Sequence, residues 1–146
     1  MKMYKITQLS IFIENKIGNL YKVLDLLAEN DINIVALSLA DSSEFGILRI
    51  VVEDPKKAKE VLEEKYYIVK NTPIIGAIIE DTPGGLSSIL KILKEEGIDL
   101  DYLYAFTHEK EEKAVLLLQS KELDSLIAIL KAYKVPLVPS QYVYDE

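Results

Sequence analysis

Glu80-Asp81-Thr82-Pro83-Gly84-Gly85-Leu86 closes an apolar run, Ile74 to Ile79, and opens an amphipathic one, Leu86 to Leu93. That order reads as a strand, a tight acidic turn and a helix start. The construction occurs once before, as Glu14-Asn15-Lys16-Ile17-Gly18-Asn19-Leu20, with glutamate, glycine and leucine all displaced by 66 positions. The chain is therefore read as one unit used twice, with the turn as the candidate site in each copy.

Working outward from the first turn, Leu9, Ile11 and Ile13 share one face of a strand, and Leu20, Val23, Leu24 and Leu27 one face of a helix. Ile32 to Ala40 reads as a second strand whose apolar phase switches, which a bulge or a late start near Val35-Ala36 would explain. Ile47 to Val52 is a third strand. Asp54-Pro55 starts a helix, with a capping carboxylate and a proline at its first position. Tyr66 to Val69 is a fourth strand, and Asn71-Thr72-Pro73 is a short linker. The second copy repeats the order: a strand to Ile79, a helix with Leu86, Ile89, Leu90 and Leu93 inside and Gly97 at its end, strands at 98–106 and 114–118, a helix capped by Ser120, and a last strand at 135–143 interrupted by Pro136 and Pro139. The fold class is thus α+β: two β-α-β-β-α-β, ferredoxin-like units at 1–71 and 72–146. Right-handed crossovers give each an antiparallel sheet with both helices on one face.

Composition bounds the function. The net charge is −7 over 146 residues, opposite to what a phosphate backbone requires, so no nucleic acid is expected. No apolar run approaches the ~18 residues of a membrane span, and the N-terminus lacks an apolar leader, so a cytoplasmic protein off the membrane is expected. There is no cysteine, which excludes disulfides, thiolate metal sites and a cysteine nucleophile. One histidine, His108, stands among Glu109, Glu111 and Glu112 in a charged hairpin, where a solvated loop is the expected reading and a metal or cofactor is not. Asp99 and Asp101 lack the partner acid or base and the pocket that a catalytic pair needs, so no enzyme is expected.

The turn itself has chemistry. The first amides of a helix lack internal partners and carry partial positive charge, and Gly84 and Gly85 let a carboxylate approach them. This contributes ~0.3–1 kcal/mol when exposed and up to ~2 when partly buried, whereas a ligand of ~10 μM affinity needs about 7 kcal/mol. A second wall is required. The side chains of Asp81 and Asn15 would hold an ammonium or amide group, and an amino acid carries both groups. The alternative is that Pro83-Gly84-Gly85 only makes a tight turn, with Asp81 as a helix cap.

The element order, with Asp81-Thr82-Pro83-Gly84-Gly85-Leu86 between first strand and first helix, resembles the ACT domain, a small-molecule-sensing module. Ala40 to Arg49 and Tyr102 to Phe106 carry further likeness, and the chain as a whole resembles a stand-alone tandem ACT protein. The resemblance implies an amino acid bound at an interface between modules, against the turn of one and the second strand of its neighbour. On this chain those positions are Asp81, Thr82, Pro83, Gly84, Gly85 and Leu86, and Asn15, Lys16, Ile17, Gly18, Asn19 and Leu20. Parts of 35–40, including Ser38, and of 101–106, including Tyr102 and Tyr104, lie opposite. The first copy departs from the motif, with Ile17 where proline is expected. The reading is then a non-catalytic regulator that acts on an enzyme in trans or through assembly, and symmetry frequency makes a homodimer the expectation. Two alternatives stand beside it: a regulatory small subunit docked on an amino-acid-biosynthetic enzyme, as in acetolactate synthase, and a ligand-free dimerisation module. Arg49, the sole arginine, is a structural strand residue or a carboxylate clamp.

Overall fold

The computed structural model describes residues 2–14, 16–41, 44–108 and 112–144. It divides into two compact units: one formed by Thr7–Thr72 with Tyr142–Glu146, the other by Met1–Ile6 with Pro73–Gln141.

The first unit contains strand β1 (Ile6–Glu14, entering from Thr7), helix α1 (Asn19–Glu29), β2 (Ile34–Asp41), β3 (Phe45–Val52), α2 (Pro55–Glu64) and the opening of β4 (Ile68–Glu80). β3 lies between β1 and β2, antiparallel to both, and β4 lies beyond β1. Period-two alternation puts Leu9, Ile11 and Ile13 of β1 and Leu48, Ile50 and Val52 of β3 on one face, where Val23 and Leu27 of α1 and Ala58 and Leu62 of α2 cover them. Both helices thus pack on one side of the sheet. The phase switch in β2 is a bulge: Ile34 stands opposite Val52 and Ala36 opposite Val51, so Val35 is the extra residue. Asp54 caps α2 by accepting the Lys57 amide at 3.1 Å, with Pro55 in its first turn. On the face away from the helices, Gln8 is fully buried and donates to the Ser10 hydroxyl at 3.1 Å. Ser10, Arg49 and Ser38 stand in line across β1, β3 and β2, which places Arg49 off the helix-covered face.

The second unit repeats the pattern with the remainder of β4, α3 (Gly85–Glu96), β5 (Tyr102–His108), β6 (Lys113–Gln119) and α4 (Leu123–Ala132). β6 lies between β4 and β5, antiparallel to both. Ile75, Ala77, Leu116 and Leu118 form the sheet side of its core, and Ile89, Leu93, Leu126, Ile127 and Leu130 the helix side. Gly97 ends α3 in the left-handed region, at φ 69°. Each described unit therefore has the antiparallel, ferredoxin-like α+β arrangement expected from the order of elements.

Four local expectations are corrected. Asn71-Thr72-Pro73 is not a loop but the interior of β4, which runs unbroken from Ile68 to Glu80. The last strand shrinks to a single bridge between Leu137 and Ala77, flanked by bonds from the Ile78 amide to the Pro136 carbonyl and from the Val138 amide to the Gly76 carbonyl, both 2.8 Å. Pro136 and Pro139 have no amide to extend a ladder, and a short helix, α5 (Gln141–Tyr144), follows. Ser120 does not cap α4, whose cap position is Glu122; its hydroxyl instead donates to the Asp99 carbonyl (2.8 Å) and accepts the Glu122 amide (3.1 Å). Finally, Leu86 and Leu90 are exposed, and the buried face of α3 is Ile89 and Leu93.

The terminal segments are exchanged between repeats. Residues 2–5 pack in the second unit: Tyr4 rests on its core beneath the Lys131 ammonium (5.0 Å to the ring centre), Lys5 pairs with Asp124 at 2.9 Å, and the Met3 carbonyl accepts the Ser140 amide at 2.7 Å. Reciprocally, the Tyr144 hydroxyl accepts the Thr7 amide in the first unit at 2.7 Å.

Candidate functional site

Both turns are built on a left-handed glycine. Gly84 (φ 90°) and Gly18 (φ 88°) occupy the cap positions of α3 and α1, and neither helix has a side-chain cap. Asp81 is thus not the cap; its amide donates to the Glu112 carbonyl at 2.8 Å. An L side chain is strained at such φ, so glycine is required by the backbone alone. The Gly85 amide turns back to the Thr82 carbonyl at 3.0 Å and Ser88 closes on the Gly84 carbonyl, through its amide at 3.0 Å and its hydroxyl at 2.7 Å. The amides of Leu86 and Ser87 have no acceptor among the described residues, which leaves them facing outward with the positive end of the helix.

Gly85 is required for a different reason. A Cβ there would sit far inside 3.0 Å of the Glu80 carbonyl oxygen, so helix and strand end can approach only without one. The first repeat has Asn19 at this place. Its side-chain amide donates to the Glu14 carbonyl at 2.8 Å, and the Lys16 amide donates to the same oxygen at 2.8 Å. The two turns are therefore alike in path and unlike in what they leave open. In the first, the Lys16 ammonium also pairs with the Glu14 carboxylate at 2.8 Å. That hydrogen bond, and then the charge of Lys16, hold the Glu14 carboxyl below its ordinary range and raise the Lys16 ammonium above its own.

Asp81, Thr82, Pro83, Gly84 and Leu86 are exposed and Gly85 is half-buried; Lys16, Ile17 and Gly18 are exposed, with Asn19 and Leu20 half-buried. Asn15 lies outside the described residues. The second-strand candidates do not reach the turn of their own unit. Ser38 is level with Ser10, and Tyr104 with Gly76 through Leu117, each four residues before the glutamate that starts the turn, or about 13 Å along the strand. Tyr102 and Tyr104 stack at 6.5 Å on the sheet face away from the helices. Glu109 and Glu111, beside His108, lie outside the described residues; among those described, no group of three metal-ligating side chains occurs.

Sequence reasoning missed the groove next to each turn. In the second unit it has a volume of about 270 Å³ and is bordered by Glu80, Gly85, Ser88, Lys113, Lys134 and Pro136. In the first it is about 400 Å³, with Phe12, Glu14, Asn19, Phe45, Tyr66 and Tyr67. The spacing that would have revealed the lysines is 68, not 66, because it applies after the hairpin: Phe45 corresponds to Lys113 and Tyr66 to Lys134. Register confirms the first pair, since Glu14 stands opposite Phe45 and Glu80 opposite Lys113. Backbone confirms the second, since Tyr66 and Lys134 are both left-handed, at φ 69° and 60°.

Among the described residues, no helix is long and apolar enough to cross a membrane. No curated protein sequence matches the chain. Among solved structures, protein BT0572 from Bacteroides thetaiotaomicron is 36% identical, with a TM-score of 0.91 over 98% of each chain. The ligand-free regulatory subunit of aspartate kinase from Thermus thermophilus has a TM-score of 0.63 at 14% identity, covering 89% of this chain and 92% of that one. The corresponding subunit from Thermus flavus has a TM-score of 0.63 at 19% identity, covering 89% and 94%. At those identities the two kinase subunits show a shared fold. A family model described as an ACT domain pair matches residues 4–140. The chain belongs to the family of ACT domain pairs.

Proposed function

We propose that this chain is a non-catalytic, cytoplasmic regulator that binds an amino acid, with its two sequence repeats, 1–71 and 72–146, as the ACT modules. The observation that carries the reading is the turn of the second repeat, within a chain of this family. A left-handed glycine cap leaves the Leu86 and Ser87 amides without acceptors, and exposed Asp81 and Thr82 stand beside them. Carboxylate and ammonium of one small zwitterion suit that pairing. The ligand is held against Asp81 to Leu86, with Asn15 to Leu20 as the corresponding positions of the first repeat. A neighbouring module supplies the second wall through its second strand, at Ser38 or at Tyr102 and Tyr104. Binding favours one arrangement of modules over another, and that difference is read by a partner.

A homodimer fits this mechanism. β2 is an edge strand carrying Leu37 and Leu39, both close to half exposed, and pairing it with a second copy would cover them and satisfy its open backbone. The structural likeness to two regulatory subunits of aspartate kinase supports a second reading, in which the chain docks on an enzyme of amino-acid metabolism.

The test is a thermal-shift screen against the twenty amino acids, with hits titrated by calorimetry. A ligand at ~100 times its dissociation constant stabilises by about 2.7 kcal/mol. One selective hit, lost in Gly84→Val, is the expected result. No shift with any of them sinks the amino-acid sensor, and co-purification with a large catalytic chain would then favour the docking subunit.

A further inference from the structure

The first unit exposes four large apolar side chains at one end of its sheet. Phe45 opens β3 at 52% exposed, Ile68 opens β4 at 64%, and Tyr66, just before β4, is 94% exposed. These three border the groove of the first unit together with half-buried Phe12 of β1. Ile17, fully exposed, tips the turn whose Asn19 borders the same groove. At the corresponding positions the second repeat has Lys113, Pro136, Lys134 and Pro83, so the fold itself does not call for large apolar side chains here. Tyr66 shows this most directly. Its φ of 69° is left-handed, where glycine or asparagine is the usual residue. A ring so open to solvent offsets none of that strain by packing within the chain.

The open area matches what a specific contact needs. At the ~150–250 Å² that an aromatic side chain can bury, Phe45 and Tyr66 leave about 220–370 Å² open. Ile17 and Ile68 add about 100–200 Å². At the ~57% apolar share of an interface, these four side chains correspond to a contact of roughly 550–1,000 Å² on each partner. Specific complexes bury about 600–1,000 Å² per partner. Single apolar residues scattered on a surface need no explanation, but a contiguous set with aromatic residues at its centre does.

Charge selects the partner. The residues bordering this groove, and those within two positions of them, carry Glu14, Glu44 and Glu64 against Lys16, Lys65 and Lys70, three of each sign. The whole chain carries −7. A basic partner is drawn to the more acidic surface elsewhere, whereas a second copy, repelled by the molecule at large, meets the least repulsion at a neutral patch. Both signs around an apolar centre also make the patch complementary to itself, as a two-fold contact between identical chains requires. We propose that the end of the first repeat bearing Ile17, Phe45, Tyr66 and Ile68 is where a second copy of this chain docks, face to face about a two-fold axis. The contact is made by strand ends, not by the open edge of β2, and the turn at Asp81 to Leu86 takes no part in it. It stands independently of which ligand the chain binds.

The test is the mass of the purified full chain, by light scattering over a concentration series, in four forms: wild type, Phe45→Lys/Tyr66→Lys, Leu37→Lys/Leu39→Lys, and all four changes together. Lysine stands at the positions corresponding to 45 and 66 in the second repeat, so the first of these variants is expected to fold. With the β2 edge blocked by Leu37→Lys/Leu39→Lys, the chain is expected to remain a dimer. Adding Phe45→Lys/Tyr66→Lys is expected to raise the dimer dissociation constant about a hundredfold or more. A second measurement needs no change at β2: benzoylphenylalanine in place of Tyr66 is expected, on illumination, to join two copies through residues of the first groove. A dimer that ignores the lysines at 45 and 66, or a chain that yields no such crosslink, would overturn the proposal. So would a wild type that stays monomeric, which would leave the patch to a different protein. None of these results bears on the amino-acid screen, so the two readings fail separately.

Discussion

Gly84 and Gly85 are adjacent, yet replacing each with alanine is expected to fail by a different route and to a different extent. Gly84→Ala meets open space: the nearest atom to its Cβ is the Ser87 hydroxyl oxygen at 4.0 Å, so the cost is the left-handed φ alone, about 1–2 kcal/mol. Gly85 has no left-handed φ, but its Cβ would collide with the Glu80 carbonyl, which is backbone and cannot rotate away. Either the helix start retreats from the strand or the end of β4 bends. Overpacking of this kind costs about 1–3 kcal/mol where side chains can adjust; with only backbone to move, about 3 kcal/mol or more is expected. For a chain of this length that is a fall in Tm of roughly 6–12 °C, against roughly 2–8 °C for Gly84→Ala. Urea unfolding of the two variants, with Gly18→Ala as a third, measures the difference. Gly18→Ala also meets open space and is expected to match Gly84→Ala. Equal losses at positions 84 and 85, or the reverse order, would refute the idea that Gly85 is fixed by contact and not by conformation.

Deleting residues 1–5 is expected to loosen the second repeat, not the first. It removes Tyr4 from the core beneath Lys131 and Lys5 from Asp124, together about 1–3 kcal/mol; hydrogen exchange should quicken at Leu126 to Leu130, and equal quickening at Leu9 to Ile13 would contradict it. Tyr144→Phe leaves the Thr7 amide without its acceptor and should cost about 1–3 kcal/mol in chemical unfolding; an unchanged midpoint would mean that water replaces the hydroxyl. The Tyr133 phenol donates to the Glu96 carboxylate at 2.8 Å; that bond, and then the charge of Glu96, raise its pKa. Because the folded value is the higher one, the stabilisation is present below the ordinary tyrosine range near pH 10 and is lost as pH rises through the raised value. Tyr133→Phe should therefore show a flatter alkaline limb than the parent, and identical limbs would refute the assignment. Leu126→Ala, at a fully buried position of α4, should cost about 2–5 kcal/mol by urea unfolding; a loss below 1 kcal/mol would show that the core collapses around the cavity.

The fold was legible because its determinants are local and repeated. Two acidic strand-to-helix turns at one spacing set the order of elements, Asp54-Pro55 and Gly97 marked helix ends by their own chemistry, and the phase switch near Val35 left a bulge or a late strand start, of which the register shows the bulge. What failed to show depends on neighbours distant in sequence. Asn71 to Pro73 looks like a linker by residue type and becomes strand by its place within β4. The leucines at 86 and 90 look buried by helical period, but the sheet covers only the narrower stripe at Ile89 and Leu93. At the site, the turn was visible and its partners were not. Lys113 opens β6 and Lys134 follows α4, and the change of spacing from 66 to 68 across the hairpin hides their correspondence to Phe45 and Tyr66. The exchange of Asn19 for Gly85 is plain in the sequence, but the contact with the Glu80 carbonyl that forbids a Cβ at Gly85 appears only in the fold.

The exchanged termini have a consequence on the ribosome. Residues 2–5 are made long before the rest of the unit they belong with, whose last long helix, α4, ends at Ala132, and the Met3 carbonyl waits for the amide of Ser140. The first repeat waits in turn for Tyr144, the hydrogen-bond partner of Thr7. At translation rates of ~5–20 residues per second, Met3 and Tyr4 spend roughly 7–27 s without their partners. Neither repeat completes these hydrogen bonds until Ser140 and Tyr144 have been made.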